Sequence, residues 1–141
     1  MIKIFIFFLF LKILFFSLAH ATTTFVQSED LQNSDPEAIT FNNNGTRMFV
    51  IDDSPMVETY TLTTGFDIST KSFSVALSFD LSATNPSPRG IVFNDDGTKM
   101  ILSNSALNII ENYDLAVAYN PSTAGLLGTH DTSGEVSGER G

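Results

Sequence analysis

The sequence contains no cysteine and no tryptophan, only two histidines, and 7 lysines and arginines against 16 aspartates and glutamates. Without cysteine there is no disulfide to staple the fold, no thiolate nucleophile and no attachment point for a lipoprotein anchor. His20 lies in an apolar N-terminal segment, which leaves His130 alone, too few for a histidine zinc site. No serine sits in a Gly-x-Ser-x-Gly elbow, so a nucleophilic triad has no support either. The shortage of cations argues against nucleic acid and anionic membrane surfaces as partners, because both select basic patches.

What is present begins with Met1 to Ala21. Lys3 supplies a positive start, Ile4 to Leu11 is wholly apolar, Ile13 to Phe16 continues the run after Lys12, and Ala19-His20-Ala21 fits a small-x-small cleavage signal. The segment reads as a secretory signal peptide cut near Ala21, giving a secreted or periplasmic chain with no membrane span in its mature part. Lys12, in the middle of the segment, argues against an uncleaved anchor, which needs ~20 consecutive apolar residues. Cleavage removes Lys3 and Lys12, leaving 5 basic residues against all 16 acidic ones, a net charge of −11. Such a charge either keeps a secreted surface from self-associating or recruits cations.

The body of the chain repeats itself. Pro36-Glu-Ala-Ile-Thr-Phe-Asn-Asn-Asn-Gly-Thr-Arg-Met48 returns as Pro88-Arg-Gly-Ile-Val-Phe-Asn-Asp-Asp-Gly-Thr-Lys-Met100, at an offset of 52. Tyr60-Thr-Leu62 then matches Tyr113-Asp-Leu115, and Phe66-Asp-Ile-Ser-Thr70 matches Tyr119-Asn-Pro-Ser-Thr123, at an offset of 53. Strands are expected at 37–41, 46–51, 56–62 and 72–81 in the first unit and at 89–93, 98–102, 108–115 and, less distinctly, 125–129 in the second. Asn42 to Gly45 and Asn94 to Gly97 are tight turns, since Asn and Gly tolerate positive φ. The organisation is therefore a signal peptide (1–21), a lead-in with one strand (22–35), two repeats (36–82 and 83–130) and a restart at 131–141, where Ser137-Gly-Glu-Arg-Gly141 echoes Ser87-Pro-Arg-Gly90. The restart predicts a truncated third unit, hence the N-terminal piece of a longer protein or a truncated product.

Each unit has four strands, and each exposes apolar faces that only a neighbour can cover. A four-stranded antiparallel unit repeated about an axis is a β-propeller blade. The expected fold is thus all-β, a propeller fragment of about two blades. The motif Pro-x-Gly-Ile-x-Phe-Asn-x-Asp-Gly-Thr-Lys-Met, with Tyr-x-Leu and Phe-Asp-x-Ser-Thr after it, resembles the repeats of bacterial secreted β-propellers of the YVTN-type and WD40-like group. That resemblance covers 36–129 and implies a blade without specifying a reaction, because propellers host binding, scaffolding and enzymatic roles.

Candidate chemistry gathers at one place. In a blade, the loop after the second strand shares a face with the entry to the first, so Asp52, Asp53, Asp35 and Glu37 collect there. Arg89 and Arg140 occupy the positions matching Glu37. The resemblance puts that entry near the mouth of the central channel, where propellers bind ligands. Glu37, Arg89, Asp52 and Asp53 are accordingly the candidate ligand-binding residues; the competing reading is solvated loop charge. Asp95-Asp96 lacks the alternating oxygens and terminal Glu of a helix-flanked Ca²⁺ loop, and Asn43-Asn44 fills its place in the sister unit, so a turn is expected. Asn44-Gly-Thr46 matches a glycosylation sequon within that turn. No cofactor is required by these residues, although Ca²⁺ is compatible with Asp52-Asp53.

The expectation is a binding or scaffolding module whose partner is a protein or cell-envelope component. The alternative is part of a propeller hydrolase or lactonase-like enzyme with a metal at the channel mouth. Two blades cannot close a ring of ~4–8. Further blades in cis or self-association are therefore needed, and the isolated mature chain is expected to oligomerise or to be poorly soluble.

Overall fold

A computed structural model describes residues 26–32, 35–52 and 54–134. The segment expected as a signal peptide (1–21), Asp53, Arg140 and the expected restart at 137–141 lie outside the described residues. Two antiparallel sheets follow one another along the chain. The first contains β1 (Pro36–Phe41), β2 (Arg47–Asp52), β3 (Met56–Leu62), β4 (Lys71–Phe73) and β5 (Phe79–Asp80). The second contains β6 (Pro88–Phe93), β7 (Lys99–Asn104), β8 (Ile109–Leu115) and β9 (Ala124–Asp131). Each sheet is a meander in chain order, except that β4 and β5 share the outer edge of β3. The fold is all-β, a fragment of about two propeller blades. No described helix is long and apolar enough to cross a membrane.

The hairpin turns explain why the repeat keeps its glycine. Gly45 and Gly97 both sit at φ +69°, a conformation costly for any residue with a Cβ. A second constraint comes from the loop after the third strand. The Phe66 ring lies against Gly45 and the Tyr119 ring against Gly97, so an added Cβ would run into the ring in either unit. Phe66 N–H donates to Gly45 O (3.0 Å) and Tyr119 N–H to Gly97 O (2.8 Å), which clamps the loop onto the turn. The repeated Ser-Thr after each aromatic completes the loop. Asp67 and Asn120 accept from Ser69 and Ser122 N–H and cap short 3-10 turns, and the Thr70 and Thr123 hydroxyls accept from Thr64 and Val117 N–H. In the turns themselves, Asn44 Oδ1 accepts from Thr46 N–H (3.1 Å) and Asp96 Oδ1 from Thr98 N–H (3.0 Å). The Asp-Asp-Gly stretch is thus a turn, and Asp96 does in its unit what Asn44 does in the other.

Two outer strands differ from expectation. The segment expected as one strand over 72–81 is β4, a 3-10 turn at Val75–Leu77, and β5. Ser78 causes the interruption: its hydroxyl donates to Ser74 O and accepts from Thr59 N–H, replacing a backbone partner that a continuous strand would supply. Conversely, the indistinct strand expected at 125–129 is the full-length β9, paired with all of β8. Its residues are nearly all exposed, so apolar alternation is a poor guide to it.

The core lies between the sheets. Phe49, Ile51 and Val57 from the first sheet pack against Ile91, Met100, Leu102, Tyr113 and Leu115 from the second, with Leu81 of the connection wedged beside them. Phe49 stands 4.5 Å, centroid to centroid, from Phe93 and 6.5 Å from Tyr119. A second cluster, Met48, Val50, Tyr60 and Leu62, lies on the opposite face of the first sheet and takes Leu31 of the lead-in. β2 is therefore buried on both faces, which is why Met48-Phe-Val-Ile51 is a continuous apolar run.

Candidate functional site

Pairing along β1 and β6 slips by one residue at the same place in both units. Pro36 faces Asp52 and Ala38 faces Ile51, leaving Glu37 as the extra residue. Pro88 faces Asn104 and Gly90 faces Ser103, leaving Arg89 as the extra residue. A bulge of this kind turns its side chain out of the normal alternation. The two redirected side chains meet: Arg89 Nη1 and Glu37 Oε1 form an ion pair bridging the sheets where β1 and β6 run side by side. Arg89 Nε also donates to Ser105 Oγ (3.2 Å), which contacts Ser87 Oγ (3.1 Å). Both charged groups remain substantially exposed.

Asp52 behaves differently. It closes the end of β2 opposite Pro36 and is only 1% exposed, so the solvated-loop reading does not hold for it. Its Oδ1 accepts from the Ser54 N–H (2.9 Å) and hydroxyl, while Oδ2 is buried with no hydrogen-bond partner among the described residues. Asn104 takes the equivalent position at the end of β7, with Oδ1 accepting from Ala106 and Leu107 N–H. The structure thus brings Glu37 and Arg89 into contact and sets Asp52 on the strand next to Glu37; Asp53 lies outside the described residues. Among the described residues, no group of three or more His, Asp or Glu side chains is arranged to hold a metal.

Sequence reasoning overlooked a pair of buried acids. Glu58 on β3 and Glu111 on β8 are equivalent positions, each 1% exposed. Tyr60 donates its hydroxyl proton to Glu58 Oε2 (2.8 Å), and Gln32 N–H donates to the same Tyr60 oxygen (3.0 Å). Glu111 Oε2 accepts from Asn85 Nδ2 (2.7 Å), and Tyr113 Oη meets Thr84 Oγ1 at 3.2 Å. Burial pushes both glutamates above their ordinary range; the donated hydrogen bonds oppose the rise, and at Glu58 the nearby charge of Asp52 adds to it. Burial also lifts Tyr60 to about 12. The available signal was Glu-x-Tyr-x-Leu, present as 58–62 and 111–115: period two places the acid on the same face as the buried tyrosine and leucine.

The surroundings of the two acids are unequal. Glu111 is sealed by Asn85 and by Phe79, whose ring meets Tyr113 edge-on at 5.7 Å. Glu58 instead lies at the wall of an open cavity of about 400 Å³, shared with Gln32, Phe73, Ser78 and Asp80. This cavity can take a hydrogen-bonding group against a carboxyl whose proton burial holds more tightly than in water.

No family model matches the sequence. No curated protein matches it. Among solved structures, the chain is similar to the crystal structure of a protein from Lactobacillus plantarum, at 20% identity and a TM-score of 0.52. The match covers 69% of this chain and 26% of that one, so the chain spans about a quarter of that protein's length. At this identity the likeness is one of fold.

Proposed function

We propose that this chain is a secreted β-propeller repeat module that binds a protein or cell-envelope partner, rather than transforming a substrate. One observation carries the reading: matched bulges turn one anion, Glu37, and one cation, Arg89, onto the same exposed edge between the blades. An exposed pair of this kind contributes roughly 0–1 kcal/mol to stability, so two coincident bulges are more than folding requires. Charges of both signs on a rigid edge suit a polar partner and discriminate by register. The test uses the exported chain immobilised against envelope proteins of its host, beside Arg89→Ala and Glu37→Ala. A partner retained by the wild type and lost from both variants, with unchanged thermal transitions, is the expected result; equal retention by all three refutes the role of this edge. Sequencing of the exported chain is expected to begin at Thr22.

A second reading, a metal-assisted propeller hydrolase, is favoured by the unpartnered buried oxygen of Asp52. It requires Ca²⁺ to raise the melting temperature of the wild type and not of Asp52→Ala. Absence of any shift in both removes it.

A further inference from the structure

We propose that the chain associates head to tail with a second copy of itself, the outer face of its second blade docking onto the outer face of its first. This inference rests on the fold, and its contact between copies uses the same Glu37 and Arg89 positions as the binding role proposed above. The two faces are the two halves of an interface that the molecule already contains once, between its own blades.

The halves can be compared residue by residue. In the internal interface, Phe49 and Val57 of the first blade are both 0% exposed and Ile91 of the second is 6% exposed. Their equivalents are more open: Ile101 is 41% exposed and Ile110 part-buried on the outer face of the second blade, and Ile39 is 56% exposed on that of the first, where Met48, Val50, Tyr60 and Leu62 are already buried. Tyr119 is half-buried against Phe49, whereas its counterpart Phe66 is 59% exposed. Seating a second copy by the rule that joins the internal blades puts Ile101 against Phe41 and Phe66, as Phe49 sits against Phe93 and Tyr119. The lead-in leaves this route open. Leu31 packs against Met48, Val50 and Tyr60 as Leu81 packs in the internal interface, and Gln32 reaches the Tyr60 hydroxyl as Thr84 reaches that of Tyr113. It packs on the buried Met48, Val50, Tyr60 and Leu62 and leaves Ile39 and Phe66 exposed. Open cavities mark both faces, about 400 Å³ at Glu58 and about 250 Å³ at Ile39 and Val50 on one, and about 320 Å³ at Ile101 and Ile110 on the other.

The polar contacts also transfer. Internally, Glu37 faces Arg89. In the head-to-tail contact Arg89 takes the Glu37 role and faces Glu37 of the second copy, so the bulge positions form a row of alternating charge. Arg47 Nη1 donates to Tyr119 O (2.6 Å) across the internal interface, and Lys99, its equivalent, pairs with Asp114 on its own sheet and keeps further N–H donors for Phe66 O across the new one. One contact fails to transfer. Asn43 Nδ2 donates to the Asp95 carbonyl internally, but Asp95 in the Asn43 role presents a carboxylate to a carbonyl. The occupant is therefore a second copy, which carries a matched face for each open one. Because the two faces differ, the interface is heterologous, and it closes as a ring or continues as a filament.

Sedimentation of the exported chain, with Ile101→Asp, Ile39→Asp, Asp95→Asn and an equimolar mixture of the two Ile→Asp variants, tests this. The wild type is expected to assemble with rising concentration, and each Ile→Asp variant to remain a folded monomer by circular dichroism. Their mixture is expected to give a dimer and nothing larger, because one intact far face and one intact near face remain. Asp95→Asn, which restores the missing donor, is expected to tighten association about 2- to 10-fold. A monomeric wild type at all concentrations overturns the proposal, as does assembly of either Ile→Asp variant or a mixture that stays monomeric.

Discussion

Phe49→Ala and Ile101→Ala apply the same kind of truncation at equivalent positions of the two blades, and the architecture demands unequal outcomes. Phe49 is fully buried between Phe93 and Tyr119, whereas Ile101 is 41% exposed. Truncating a buried phenylalanine to alanine costs about 3–5 kcal/mol, the sum of lost transfer energy and the cavity left behind. At Ile101 the removed atoms are partly in water already and no closed cavity results, so the cost is about 1 kcal/mol. A domain of this size has a total stability of roughly 5–15 kcal/mol, so the first change removes a large share of it. In urea, with a slope of about 1.5 kcal/mol per molar, the midpoint for Phe49→Ala falls by roughly 2–3 M, and that for Ile101→Ala by less than about 1 M. The measurement is made at concentrations that keep the chain dissociated, since association adds its own stabilisation. If both variants lose the same amount, the sheets do not pack face to face and the core described here is wrong.

Two further predictions concern the repeat's special residues. Because burial raises Glu58 and Glu111 in the folded chain, the folded state holds those protons more tightly than the unfolded one. Their contribution is fully present below the unfolded pKa of about 4.3 and is lost as pH rises through the raised folded values. Glu58→Gln is therefore expected to be more stable than the wild type at pH 8 and similar to it near pH 4, measured by thermal melts across pH; an equal loss at both pH values refutes this. Gly97→Ala places a Cβ at φ +69° and against the Tyr119 ring, for an expected loss of about 1–3 kcal/mol, with altered Tyr119 packing visible in near-ultraviolet circular dichroism. A variant as stable as the wild type would show that the ring clamp is dispensable.

The sequence carried the fold because the repeat states it twice. Asn-Asn-Asn-Gly and Asn-Asp-Asp-Gly have a local cause, the positive φ at Gly45 and Gly97, and local causes are legible in a single chain. The bulges at Glu37 and Arg89 were not legible. Matching entries fixed the two positions as equivalents, but a slipped register depends on how β1 pairs with β2 and β6 with β7. The divided outer edge at Ser74–Ser78 escaped for the same reason: its cause is a hydroxyl bonded to a neighbouring strand at Thr59. Glu58 and Glu111 were passed over because an acid in an alternating strand ordinarily faces water.

Residues alone determined the three inner strands of each unit, the glycine turns and the equivalence of the two units, since each follows from spacing and backbone sterics. Only the tertiary structure decided which apolar faces are covered, which acids are desolvated and which charges meet. Alternation defines the two faces of a strand but is silent on what lies against them. Phe49 and Ile101 hold the same place in the repeat, and one is core while the other is surface because a blade packs against the first and, among the described residues, none against the second.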